Sequence, residues 1–279
     1  MKILLIGGYG LLGDDIYKVF SYNQQEIIRI KREHLDILDT NNLEETISLI
    51  RPELVINASG YTNVAMAERE FEKAFQVNCL GIYNLVNTLK KYDIPLIHFS
   101  TDYVFEGGGS TPYKEDDPAI PLNKYGLTKK ISEDIIVANY DKYYIIRTSW
   151  LFGSNGKCFP RTILQKLSLN EKIYVVNDQF GTPTYTRDLA EGLLNILRFP
   201  FGLYHVTNDG YTTWFDYALL VASYMKLNEK NIFPVTSDEQ YAGVNRPKFS
   251  VLSNEKWSDF APQLRPYNKA VECFLQVLQ

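Results

Sequence analysis

Short, largely apolar runs alternate with amphipathic stretches through the first half of the chain. Residues 3–6, 54–56, 96–99 and 144–146 show no polar alternation, as expected of strands buried on both faces of a parallel sheet. Residues 26–30 predict a further strand. Between these runs the apolar positions return at helical spacing, from 13 to about 20, over 42–50, from 71 to about 91, and over 123–139. Strands that alternate with helices need crossover connections. They predict a doubly wound α/β fold with a parallel sheet, in which ligands lie at the carboxyl ends of the strands. The pattern weakens after Trp150. There it predicts helices at 157–168, 187–197, 214–225 and 270–278, and strands at 173–176 and 202–206. His98 lies within an apolar run and is read as a packed core residue. Trp214, which starts a helix, is read as core as well.

The first run leads at once into Gly7-Gly8-Tyr9-Gly10-Leu11-Leu12-Gly13. Strand, glycine turn and helix in that order are the setting a dinucleotide fingerprint requires. Gly7 permits the tight turn, Gly10 lets backbone approach a pyrophosphate, and Gly13 allows helix to pack closely on strand. The helix N-terminus offers unpaired N–H groups to the phosphates. The spacing is GxxGxxG rather than GxGxxG. Two other predicted strand ends carry small or hydroxylic residues, Ser59-Gly60 and Ser100-Thr101. Tyr125 and Lys129, four apart on a helix, share one face. An ammonium beside a phenol lowers its pKa, and a nearby hydroxyl such as Thr101 completes a device for moving a proton on or off an alcohol or carbonyl oxygen. The second strand runs into Lys31-Arg32, where an acidic residue would select NAD through its ribose hydroxyl. Two cations there predict a grip on a 2′-phosphate. NADPH is the expected cofactor, with NADH as the second choice.

The domain expectation follows. Residues 1–149, with about 170–188, form a Rossmann-type dinucleotide-binding domain. Residues 150–169 and 189–279 form a smaller interleaved α/β substrate-binding lobe.

Composition removes several alternatives. The chain has 279 residues, 45% of them hydrophobic, and a net charge of −4. Without a long basic run, nucleic acid is not the expected partner. No apolar run reaches the ~18 residues of a membrane span. The N-terminus is broken by glycine too early for a signal peptide. Cys79, Cys158 and Cys273 are isolated, and neither they nor His34 and His205 have metal-ligand spacing, so no metal and no disulfide framework is expected. A reducing cytoplasm fits best, and a homodimer is left open. Arg161 and Arg246 are candidates for phosphate contacts or for structural pairing.

Longer strings carry a resemblance. They are Gly7-x-x-Gly10-x-x-Gly13, Val55-Ile56-Asn57-Ala58, Tyr61-Thr62-Asn63-Val64, Val77-Asn78-x-x-Gly81, Ser100-Thr101-Asp102-Tyr103-Val104-Phe105, Pro121-Leu122-Asn123-x-Tyr125-Gly126-x-x-Lys129, Arg147-Thr148-Ser149-Trp150, Asp178-Gln179-x-Gly181-x-Pro183-Thr184 and Arg246-Pro247. With these the chain resembles the extended short-chain dehydrogenase/reductase family and, within it, the dTDP-4-dehydrorhamnose reductase subgroup. The resemblance implies hydride delivery from a reduced nicotinamide to C4 of a nucleotide-linked 4-keto-6-deoxy sugar. It implies Tyr125 as general acid, Lys129 lowering its pKa and holding the nicotinamide ribose, and Thr101 bonding the carbonyl oxygen. Val64, Asp102 and Trp150 would contact the sugar nucleotide. Gly10, Leu11 and Leu12 would bind pyrophosphate, Asp36 and Ile37 the adenine side, Ser59, Gly60, Tyr61 and Thr62 the middle of the cofactor, and Phe99 the nicotinamide. Two other readings share the fold. Epimerases and 4,6-dehydratases recycle their cofactor, but such dehydratases carry Glu after the Thr-Asp pair, where this chain has Tyr103. Regulatory subunits of methionine adenosyltransferase bind NADP without turnover.

Overall fold

The computed structural model describes residues 1–240 and 243–278. Its centre is a parallel sheet of β1 (Lys2–Ile6), β2 (Glu26–Ile30), β3 (Leu54–Asn57), β4 (Leu96–Thr101), β5 (Tyr143–Thr148) and a sixth strand at Gly202–His205. From one edge the order is Gly202–His205, β5, β4, β3, β1, β2. From β1 the chain moves to β2 on one side and then crosses to β3 on the other. The strand order therefore reverses at β1/β3, where a doubly wound sheet opens a crevice for ligands.

The helices that fill the crossovers are α1 (Leu11–Tyr22), α2 (Thr40–Ile50), α3 (Val64–Arg69), α4 (Phe71–Phe75), α5 (Gly81–Tyr92) and α6 (Lys124–Asn139). The helical pattern expected over 71–91 is present, with a wider π-type turn at Gln76–Leu80 joining α4 to α5. Side chains of β1 alternate between two cores. Ile3 and Leu5 pack with Ile16, Phe20 and Leu189 on one face, and Leu4 and Ile6 pack with Leu43, Ile47 and Leu85 on the other. Burial on both faces is why these strands read as continuous apolar runs.

A third core, with Phe152, Ile163, Val175, Tyr217, Val221 and Phe274, forms the second lobe. Here the structure corrects the expected interleaving. The strand Ile173–Val176 does not join the main sheet; it pairs in parallel with Ile232–Val235 and contributes to the third core. The segment that returns to the first lobe is later. The helix Thr186–Gly192 packs on α1, and Gly202–His205 pairs with β5. A four-residue apolar run cannot reveal which sheet it joins, because pairing partners are set by tertiary contacts. Among the described residues no helix is long and apolar enough to cross a membrane.

One buried ion pair pins α6 to the sheet. Arg147 on β5 donates to Glu133 through Nε at 2.9 Å and Nη2 at 2.7 Å, and Ser100 Oγ donates to the same carboxylate at 2.5 Å. Arg147 also approaches His205 Nε2, at 3.3 Å. Both charged residues are almost fully buried. Removing one partner strands the other charge in the core. Arg147→Met should therefore lower the unfolding free energy by about 3–5 kcal/mol in urea titrations. A loss below about 1 kcal/mol would show that the pair does not hold the helix.

Candidate active site

A cleft of about 700 Å³ runs along the carboxyl ends of β1, β3 and β4. Its floor at one end is the glycine turn. Gly7 has φ +77°, and a Cβ there would lie 2.5 Å from Ser59 N, so β1 and β3 come together only through glycine. A Cβ on Gly13 would lie 2.2 Å from Gly7 O. Gly13 is therefore a packing residue, and it does not line the cleft, whereas Gly7, Gly10, Leu11 and Leu12 do. The N-cap of α1 is Gly10, which supplies no side-chain cap. The first-turn N–H groups are left for an anion, and the missing Cβ lets it approach. That fits the pyrophosphate of a dinucleotide.

Arg29 supports this turn from behind. It donates to Gly8 O at 3.2 Å and Asp14 Oδ1 at 2.9 Å, with its guanidinium between the rings of Tyr9 and Tyr17. Past β2 the two expected cations part company. Arg32 lines the cleft beside Asp36 and Ile37, with its guanidinium 3.7 Å from Asp36 Oδ2. Lys31 does not line it; its ammonium faces Glu33 at 3.6 Å. Ile30 and Arg32 both line the cleft, whereas Lys31 opens the turn that follows β2, its carbonyl accepting from His34 N and Leu35 N, and does not.

Ser59, Gly60, Tyr61 and Thr62 form the middle wall, with Val64 beyond. Asn78 fastens that loop. Its Oδ1 accepts Tyr61 N at 2.8 Å, and its Nδ2 donates to Tyr61 O at 3.0 Å and to Thr128 Oγ1 on α6 at 2.9 Å.

The far end carries the proton chemistry. Phe99, Thr101, Asp102, Tyr125, Lys129 and Trp150 all line the same cleft. Asn123 caps α6 by accepting Gly126 N at 2.8 Å, which starts the helix so that Tyr125 and Lys129 face the end of β4. Lys129 Nζ donates to Phe99 O at 2.7 Å and lies 3.1 Å from His98 Nε2. Burial pulls the Lys129 pKa down to about 8, with the Glu133 charge opposing. Tyr125 is pushed up to about 12 by burial, against a hydrogen bond with Thr101 that lowers it. The expected lowering by Lys129 is not seen, because the ammonium is turned to β4 and burial dominates. Asp102 is raised to about 6 by burial. His98 is buried, as read from the sequence, yet it also touches Lys129.

Trp214 packs against the third core, as read from the sequence, and has a second role. It lines the cleft and stacks on Trp150, with ring centroids 3.6 Å apart. Trp150 has φ +46°, strained for a bulky side chain. A Cβ on Gly181 would lie 2.4 Å from its ring. An aromatic at the first turn of a helix carries no local signal of a ligand wall. Tyr103 also lines the cleft, edge-on to Tyr125. Arg161 is engaged within the protein, donating to Ser154 O at 2.7 Å.

The sequence profile of the family described as RmlD substrate binding domain matches residues 1–279. This chain belongs to the RmlD family. It is 34% identical over 275 residues to the spore coat polysaccharide biosynthesis protein SpsK of Bacillus subtilis, covering 99% of this chain and 97% of that one. It is 34% identical over 296 residues to dTDP-4-dehydrorhamnose reductase of Escherichia coli, covering 100% and 98%. Among solved structures it is similar to dTDP-4-dehydrorhamnose reductase from Bacillus anthracis in complex with NADP, with a TM-score of 0.95, 31% identity and coverage of 99% and 100%. In this RmlD-family chain the glycine turn and the Tyr125–Lys129 pair thus share one cleft.

Gly13→Ala should disable the dinucleotide end of that cleft. The added methyl must displace the turn, an overpacking worth about 1–3 kcal/mol. The expected result is a lower melting temperature and no saturable quenching of tryptophan fluorescence by dinucleotide. Wild-type titration curves would reject the packing role.

Proposed function

We propose that this chain reduces the C4 keto group of a nucleotide-linked 4-keto-6-deoxy sugar, taking dTDP-4-dehydro-L-rhamnose to dTDP-L-rhamnose in deoxysugar biosynthesis. The observation that carries the reading is the convergence of Thr101, Tyr125 and Lys129 on the cleft that also holds the uncapped glycine turn. NADPH would be held by Gly7, Gly10, Leu11 and Leu12 at its pyrophosphate, by Arg32, Asp36 and Ile37 at its adenosine end, and by Ser59, Gly60, Tyr61 and Thr62 in the middle, with Phe99 and Lys129 near the nicotinamide. Bound there, the reduced nicotinamide supplies the hydride.

The protein's own groups supply the rest. With a pKa near 12, Tyr125 keeps its proton at neutral pH. A new sugar alkoxide is far more basic than a phenolate, so transfer from Tyr125 to that oxygen is downhill. Lys129 keeps its ammonium below about pH 8 and would hold the ribose beside the nicotinamide. Thr101, at the end of β4, adds a second hydroxyl to the oxygen's surroundings. Val64, Asp102, Trp150 and the stacked Trp214 would shape the sugar side. Tyr103 stands where a dehydratase needs a carboxylate base, which favours net reduction over cofactor recycling.

Tyr125→Phe should lower kcat by about 10²–10⁴ while cofactor affinity stays within a few-fold, since the proton is needed only in the transition state. Reduced nicotinamide absorbance followed with the 4-keto sugar nucleotide gives the rate. Sugar conversion without cofactor consumption by the wild type would reject the reductase reading.

The position of Arg32 makes a second test. One charge-assisted contact to a 2′-phosphate gives roughly a tenfold to hundredfold preference for NADPH. Arg32→Ala should erase that preference, and Lys31→Ala should leave it nearly intact. Equal effects of the two variants would remove Arg32 from the role.

A further inference from the structure

The glycine turn is held from a second side, by a residue far along the chain. Asn155 lies in the run that follows Trp150. Its Nδ2 donates to Tyr9 O at 3.0 Å and to Gly10 O at 3.3 Å. Tyr9, Gly10 and Trp150 line the cleft, but Asn155 does not.

The run is fastened so as to bring that amide to the turn. Leu151–Phe152 pairs in parallel with Thr184–Tyr185. Ser154 Oγ then donates to Asp15 Oδ1 on α1 at 3.2 Å, and the Thr186 hydroxyl donates to Oδ2 of the same carboxylate. Asp15 is buried, so its oxygens need these donors. Arg161 Nη2 donates to Ser154 O at 2.7 Å. Asn155 therefore follows a residue that is tied both to α1 and to the second lobe.

Peptide geometry gives the effect of its two hydrogen bonds. The N–H and C=O of a trans peptide point in opposite directions. Among the described residues no peptide is cis. In the peptide that joins Tyr9 to Gly10, the N–H goes to Gly7 O at 3.0 Å and the C=O goes to Asn155. In the next peptide, Gly10 O accepts both Asp14 N, at 3.0 Å, and Asn155 Nδ2. The Leu11 N–H is thereby left pointing out of the end of α1, the direction from which an anion meets an open first turn. Among the described residues that line the cleft, the only cations are Arg32 and Lys129. Arg32 belongs to the adenosine end and Lys129 to the nicotinamide end. A diphosphate between them has to be met by backbone N–H groups, whose direction is all the turn can offer it.

We propose that Asn155 is a positioning residue for the cofactor diphosphate: it touches no part of the cofactor, and by holding the carbonyls of Tyr9 and Gly10 it aims the Leu11 N–H at the diphosphate. The inference rests on the cofactor site proposed above and deepens it. The dinucleotide site is then not complete in the first lobe, because a side chain beyond Trp150 sets the direction of its donors.

Titration calorimetry on the unliganded protein tests this without turnover. Asn155→Ala should weaken NADPH binding about tenfold, the worth of the lost hydrogen bonds. Asn155→Asp keeps the shape but presents no donor to the carbonyls, and it should weaken binding at least as much. Adenosine 2′-monophosphate, which has no diphosphate, should bind both variants as it binds the wild type. In turnover the loss should appear in KM for NADPH rather than in kcat. Wild-type affinity for NADPH in either variant, or an equal loss for adenosine 2′-monophosphate, overturns the positioning role. Absence of dinucleotide binding by the wild type rejects the cofactor reading itself.

Discussion

The site depends on how α6 docks across the carboxyl end of β4. Lys129 is nearly fully buried, and its ammonium is met by a backbone carbonyl and an imidazole on that strand. One turn further along α6, Glu133 meets Ser100 of the same strand and Arg147 of the next. At the start of the helix, Gly126 lies so close to Tyr103 O that a Cβ would come within 2.1 Å. These contacts fix the height, rotation and distance of the helix together. A slide by one turn, about 5.4 Å, would leave both Lys129 and Glu133 without partners in the core. The geometry of Tyr125 is thus a by-product of where buried charges can be satisfied.

The same docking joins the two ends of the cleft. His98 lies between Lys129 and Asn57, with Asn57 3.2 Å from its Nδ1, and Asn57 Oδ1 accepts both the backbone N–H and the hydroxyl of Ser59. Burial and the Lys129 charge keep His98 far below its ordinary pKa, so it serves as a neutral spacer. Asn78 makes a parallel tie from the Tyr61 backbone to Thr128. The loop after β3 and the helix bearing Lys129 are therefore held as one body.

Much of this was legible in the sequence because it is local. Strand, glycine turn and helix follow each other within a dozen residues, and Tyr125 and Lys129 share a face by helical spacing alone. What sequence periodicity could not resolve depended on orientation or on distant pairing. Lys31 and Arg32 are adjacent and chemically alike, and only the direction of the chain leaving β2 separates them. Residues 173–176 have the look of any buried strand, and their partner lies some sixty residues later at Ile232–Val235. Trp214 was hidden because stacking on Trp150 leaves no sequence period. Asn155 is invisible for the same reason: its amide reaches Gly10 across 145 residues of chain.

The path of the chain between the lobes bears on how such a protein can diversify. After Trp150 the backbone leaves the first lobe, returns at Thr186–Gly192 to pack on α1, lends Gly202–His205 to the main sheet, leaves again, and comes back to bury Trp257 in the first core. Asn155 meanwhile reaches across to the carbonyls of Tyr9 and Gly10. No single cut therefore separates one complete lobe from the other. Recombination cannot trade the second lobe between genes as a cassette without tearing an edge strand from the sheet. Changes to the cleft in this architecture must accumulate by substitution in place, at wall positions such as Trp150 and Trp214, while the shared sheet is inherited whole.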